Sequence, residues 1–145
     1  MDPPKNHSVL VVDEDTEYTP LIEQILTDMF SSTIDMFWFK NEEEVFDFLN
    51  AKTPSIISIV LLDIENSNFD GIAVLRQFKE ESSPFKDVPI IIFSRLYEIT
   101  TIRQCFNLGA NSWVLKPRDL KKFRKKLETI CEFWFKHAIL PSSLI

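Results

Sequence analysis

Four short apolar runs, each closed by a charged or hydroxyl-bearing residue, constrain this chain more than any other feature. Val9 to Val12 ends in Asp13 and Glu14, Ile59 to Leu62 in Asp63, Ile90 to Phe93 in Ser94, and Trp113 to Leu115 in Lys116. Runs this short and this apolar read as strands covered on both faces. If all four lie parallel in one sheet, their closing residues meet at its carboxyl edge, where open α/β sheets place their ligands. An acid pair, a lone carboxylate, a hydroxyl and a lysine form an inventory suited to a divalent metal and a phosphoryl group.

Between the runs the pattern changes to helical spacing. Pro20 to Met29 carries Leu21, Ile25, Leu26 and Met29 on one face, and Ile34 to Phe39 follows as a further strand. Asn41 is placed to cap a helix whose first turn is Glu42, Glu43 and Glu44, where the helix dipole favours anions. The third strand is read as Ile56 to Leu62, and Asp63 to Gly71 as a loop. Ile72 to Glu81 is a helix and Val88 to Phe93 a strand with Pro89 near its start. Glu98 to Leu108 is a helix stopped by Gly109, a left-handed cap, and Ser112 to Leu115 is the fifth strand. Lys116-Pro117 breaks the chain, with the proline a candidate cis bond. Asp119 caps the last helix, whose Leu120, Phe123, Leu127, Ile130 and Trp134 recur at steps of three and four. Five βα units predict an α/β fold: a three-layer α/β/α sandwich around a five-stranded parallel sheet with right-handed crossovers.

Size and charge limit the function classes. The chain has 145 residues, 45% of them hydrophobic and 12% aromatic, enough for one domain with a real core. Its net charge of −6 hides an asymmetry, since residues 116–126 hold seven Lys or Arg against one Asp and the remainder carries −12. An acidic body argues against a nucleic-acid binder, and the basic stretch reads as the solvated face of the last helix or a dock for an acidic partner. No apolar run approaches the roughly 18 residues of a membrane span, and the polar start lacks signal-peptide character. A cytoplasmic protein is expected, with Cys105 and Cys131 as buried free thiols.

VLVVDED, IVLLDIENSNFDG, VPIIIFS and NSWVLKP stand in the order and near the spacing found in bacterial response-regulator receiver domains, which roughly residues 8–135 resemble. The resemblance implies the flavodoxin-like strand order 2-1-3-4-5, for which a chemotaxis receiver is a standing example. It implies a two-component phosphorelay protein in which Asp63 accepts a phosphoryl group from a histidine kinase or histidine phosphotransfer protein. It further implies Mg²⁺ held by Glu14 and Asp63 directly, by Asp13 through water, and by the backbone carbonyl of Glu65. Ser94 and Lys116 would contact the phosphoryl oxygens, and Ser94 and Trp113 would form the switch. Such a protein catalyses only its own phosphorylation and dephosphorylation. The chemistry is coherent: a carboxylate attacking an anionic phosphoryl group needs a cation against the mutual repulsion, and carboxylate oxygens are the hard ligands Mg²⁺ takes.

Departures from the usual receiver pattern concentrate near the site. Glu14 replaces the more frequent Asp, Arg95 stands where a small residue usually leaves room for the donor, Ser67 replaces a common loop proline, and Trp113 exceeds the usual Tyr or Phe. Arg95 is therefore expected to slow small phosphodonors. Carboxylates such as Asp13 and Glu14 ahead of a helix are also favoured by the dipole alone. That account cannot cover Asp63, directly after a strand of such apolarity.

The expected division is a disordered segment 1–7, a receiver domain 8–136 and an apolar tail 137–145. Phe133, Phe135, Ala138, Ile139, Leu140, Leu144 and Ile145 exceed what one helix face hides. The tail either folds back on its own domain or forms a homodimer or partner interface. CEFWFKHAILP resembles the tail of single-domain regulators serving phytochrome-type histidine kinases. No output module is expected beyond the last helix, so a stand-alone regulator would act through a downstream protein target. Two rivals remain: a haloacid dehalogenase-type phosphatase with Asp13 as nucleophile, which lacks a Thr at Glu17 and leaves Asp63 idle, and a receiver-like binding module that is never phosphorylated.

Overall fold

The computed structural model describes residues 7–51, 56–67 and 69–144. Its five strands are β1 (His7–Val12), β2 (Ile34–Phe39), β3 (Ile59–Leu62), β4 (Ile90–Ser94) and β5 (Ser112–Leu115). All neighbours pair in parallel in the order β2-β1-β3-β4-β5, the expected flavodoxin-like topology. The helices are α1 (Thr19–Phe30), α2 (Glu42–Leu49), α3 (Gly71–Lys79), α4 (Ile99–Asn107) and α5 (Leu120–Glu132).

Strand alternation divides the core in two. Leu10, Val12, Val60, Leu62, Ile90 and Ile92 face one layer with Val45 of α2, Val74, Leu75 and Phe78 of α3, and Cys105 of α4. Val9, Val11, Ile59, Leu61, Ile91 and Phe93 face the other with Ile22, Ile25 and Leu26 of α1 and Phe123, Leu127, Ile130 and Cys131 of α5. Because β1, β3 and β4 bury both faces, their sequences need no polar alternation. The helix starts follow from side-chain caps: Asn41, Asp70, Glu98 and Asp119 each accept from a backbone N–H of the first turn. Glu44 also accepts from the N–H of Lys40, the residue before the cap, tying the entry of α2 to its first turn. Gly109 closes α4 at φ 107°, the left-handed conformation its position predicts.

Several boundaries differ from the sequence reading. The third strand begins at Ile59, not Ile56; residues 52–55 lie outside the described residues, and Ile56 is exposed. The fourth begins at Ile90, and α3 begins at Gly71, capped by Asp70. The Lys116–Pro117 bond is trans, since no described peptide bond is cis. The last α-helix stops at Glu132, and Trp134 belongs to a π-helical turn, Phe133–His137, that follows it directly. Of the segment read as disordered, only His7 is described, and it opens β1 against Phe30 and Phe135. Beyond the turn, Leu140 is buried in the α1/α5 layer, whereas Phe133, Ile139 and Leu144 stay exposed. The tail thus folds back in part and leaves apolar surface over.

Candidate functional site

The site grows out of the sheet's hydrogen-bond ladder. One residue past each strand, the backbone N–H of Asp13 donates to the Phe39 carbonyl (3.1 Å), that of Asp63 to Val12 (2.9 Å) and that of Lys116 to Ser94 (2.8 Å). The Trp38 indole N–H additionally holds the Asp13 carbonyl at 2.8 Å. Each functional side chain is therefore fixed by a paired backbone.

These backbones bring three charges together. Lys116 Nζ donates to Asp13 Oδ2 at 2.5 Å and to Asp63 Oδ2 at 2.8 Å, with all three side chains buried. The second oxygens are also held: Asp13 Oδ1 accepts from Asp15 N–H (2.8 Å), and Asp63 Oδ1 from Glu65 N–H (2.9 Å). Two carboxylates against one ammonium leave an excess negative charge. Burial pushes the Asp13 carboxyl above its ordinary range, with repulsion from Asp63 adding to it, against the pull of Lys116. Burial would lower Lys116, but Asp13 and Asp63 outweigh it and hold the ammonium above its usual value.

Ser94, at the end of β4, is fully buried, and its Oγ accepts from Leu96 N–H at 3.2 Å. Trp113, half-buried on β5, donates its indole N–H to the Leu96 carbonyl at 3.2 Å. The hydroxyl and the aromatic ring proposed as the switch thus share one loop residue.

Around this triangle the expected ligand set is only partly gathered. Glu14 does not join Asp13 and Asp63: its Oε1 accepts from Ser67 N–H (2.6 Å) and from Ser67 Oγ (2.9 Å). Among the described residues no three acidic, imidazole or thiol side chains are arranged to hold a metal. Asp13 and Asp63 nonetheless fit a hard cation that keeps several waters, since they supply carboxylate oxygens and an uncompensated charge. The helix-dipole account of Asp13 and Glu14 fails, because α1 starts only at Thr19. The mouth of the site is an open cleft of about 780 Å³ whose lining includes Asp13, Glu14, Asp63, Arg95 and Arg118. Arg95 lies 4.6 Å over the Tyr18 ring, and its buried Nε has no hydrogen-bond partner among the described residues.

Two residues escaped the sequence reading. Asn66 donates to the Asp63 carbonyl (2.5 Å) and accepts from Glu14 N–H (3.2 Å), joining the acid loop to the loop after β3. An Asn shortly after a strand is a loop-bonding signal that could have flagged it. Tyr18 carries Arg95 and donates its hydroxyl to the Arg118 carbonyl at 3.3 Å, and nothing local in the sequence announces that.

Five parallel strands in this order, with buried acids, a lysine and a hydroxyl at the carboxyl edge, define a flavodoxin-like domain with an anionic site. Residues 9–128 match the model of the response regulator receiver domain, and the chain belongs to that family. The chain is similar to the response regulator Rcp1 of Synechocystis sp., 25% identical over 97% of this chain and 96% of Rcp1. It is 27% identical to the probable transcriptional regulator ycf27 of Porphyra purpurea, but spans only 48% of that protein. Among solved structures, the phosphorylated cyanobacterial phytochrome response regulator RcpA superposes with a TM-score of 0.83 at 22% identity, over 94% of this chain and 99% of RcpA. The Mn²⁺-bound form of Rcp1 gives 0.82 at 22% identity, over 95% and 99%. The phosphatase alternative is not favoured: Asp63, idle in such an enzyme, sits in the cluster, and the family match covers the whole motif set. No helix among the described residues is long and apolar enough to cross a membrane.

Proposed function

We propose that this response regulator takes a phosphoryl group onto Asp63 from the phosphohistidine of a histidine kinase or phosphotransfer protein. The observation that carries this reading is Lys116 bridging two buried carboxylates at the sheet's carboxyl edge. An Asp63 oxygen forms the new O–P bond as the P–N bond to the donor imidazole breaks, and the electron pair leaves with the imidazole nitrogen. Lys116, already on Asp63 Oδ2, stabilises the added charge on the phosphoryl oxygens. The Ser94 Oγ accepts one hydrogen bond and makes no donation among the described residues, so its proton is available to a phosphoryl oxygen. Asp13 and Asp63 would hold Mg²⁺, with Glu14 and the Glu65 carbonyl completing the set the resemblance implies. When bound, that ion offsets the repulsion between carboxylate and phosphoryl group.

Contacts made only in the phosphorylated state shift the population of the loops after β4 and β5, which Leu96 links to Trp113. The chain then acts by binding, not by turnover of an external substrate, as a cytoplasmic signalling component. Near-complete mutual coverage with Rcp1 and RcpA supports a stand-alone regulator with a phytochrome-type kinase as donor. A downstream protein, or a second copy of the chain, would meet the altered surface and the apolar residues Phe133, Ile139 and Leu144 left exposed by the tail. Incubation with acetyl phosphate and Mg²⁺ followed by intact mass tests the reading. It predicts a gain of one phosphoryl group that is absent from Asp63→Asn; turnover at Asp13, or no adduct at all, would overturn it.

A further inference from the structure

We infer that Ser67 sets how tightly the acid site takes a divalent cation, by holding the Glu14 carboxylate on the loop after β3; this rests on the phosphoacceptor reading above. Both donors of Ser67, its backbone N–H and its hydroxyl, converge on one oxygen of Glu14, at 2.6 and 2.9 Å. The neighbouring residues reinforce the link, since Glu14 N–H donates to Asn66 Oδ1 and Asn66 Nδ2 donates to the Asp63 carbonyl. The phosphoacceptor loop and the acid loop are therefore sewn together through the very carboxylate that the metal reading needs.

Charge-assisted hydrogen bonds are about twice as strong as neutral ones, so the loop competes with a cation for Glu14. Ser67 is exposed enough for water to replace Glu14 once it leaves, so the competition weakens metal binding without forbidding it. Cation binding by Glu14 and its bonds to Ser67 oppose each other, so each weakens the other. Glu14 is thus a ligand held in reserve, and Ser67 is a positioning residue that acts through it.

Calorimetric titration of the purified chain with Mg²⁺ alone tests this. Ser67→Pro removes both donors and is expected to tighten binding roughly tenfold, and Ser67→Ala, which loses only the hydroxyl, severalfold. In a Glu14→Ala background neither change should alter the affinity. Hydrogen exchange of the metal-free protein adds a readout independent of the ion: the Ser67 amide should exchange faster in Glu14→Ala than in wild type. Equal Mg²⁺ affinity in wild type and both Ser67 variants, or the same gain without Glu14, would overturn the inference while leaving the phosphoacceptor reading intact. Absence of Mg²⁺ binding in every variant would overturn the metal part of that reading and this inference together.

Discussion

The carboxyl edge of the sheet has an inner and an outer half built on different principles. The inner half, Asp13, Asp63 and Lys116, hangs on backbone groups that extend the strand ladder, and its side chains are buried and mutually bonded. The outer half, Glu14, Ser67, Arg95 and Tyr18, sits on loops around an open cleft and is joined by contacts between segments far apart in sequence. The inner half is set by strand register and the outer by how loops happen to meet. Three of the departures from the usual receiver pattern, Glu14, Ser67 and Arg95, fall in the outer half.

Substitutions can break that contrast, starting with Lys116→Met. It leaves two buried carboxylates without their cation and should cost about 3 kcal/mol or more in urea denaturation. A loss under about 1 kcal/mol would mean that the inner half is not interlocked. Gly71→Ala should cost about 1–3 kcal/mol, because a Cβ there would lie 2.8 Å from Ile64 Cα and 2.9 Å from the Asp63 carbonyl oxygen, both backbone atoms. Such a clash pushes directly on the backbone of Asp63.

Asp13 offers a test by pH. Its carboxyl is raised in the folded protein, by burial first, so the folded state binds the proton more tightly than the unfolded chain does. The stability this contributes is complete below the ordinary carboxyl value and is lost as pH rises through the raised one. In metal-free protein, Asp13→Asn should therefore raise the urea midpoint at neutral pH, with the gain shrinking as pH falls toward the ordinary range. A gain independent of pH would contradict the burial argument. The smallest effect belongs to the outer half: Arg95→Ala should change stability by no more than about 0.5 kcal/mol while speeding acetyl phosphate labelling severalfold. An unchanged labelling rate would show that Arg95 does not obstruct the mouth.

The same division explains what could be read from sequence. Asp13, Asp63, Ser94 and Lys116 were recognisable because each closes an apolar run, and run length fixes where a parallel strand ends. Helix starts were visible where an Asn or Asp caps them, as at Asn41 and Asp119. The link from Glu14 to Ser67 was not legible, because Ser67 lies 53 residues away, on a loop with no periodicity. Trp134 fitted the spacing of α5 but fell in a π-helical turn, a local widening that no side-chain pattern signals. The tail was ambiguous for a physical reason: Leu140 is buried and Ile139 beside it is exposed, so composition alone could not divide them.

The most direct test of the central claim is to locate the phosphoryl group itself. Protein labelled with acetyl phosphate and Mg²⁺ is reduced with borohydride, which converts an aspartyl phosphate to homoserine, and is then mapped by peptide mass spectrometry. The account predicts homoserine at position 63 and nowhere else. Conversion at Asp13, or an unmodified Asp63 in protein that has gained a phosphoryl group, would contradict it.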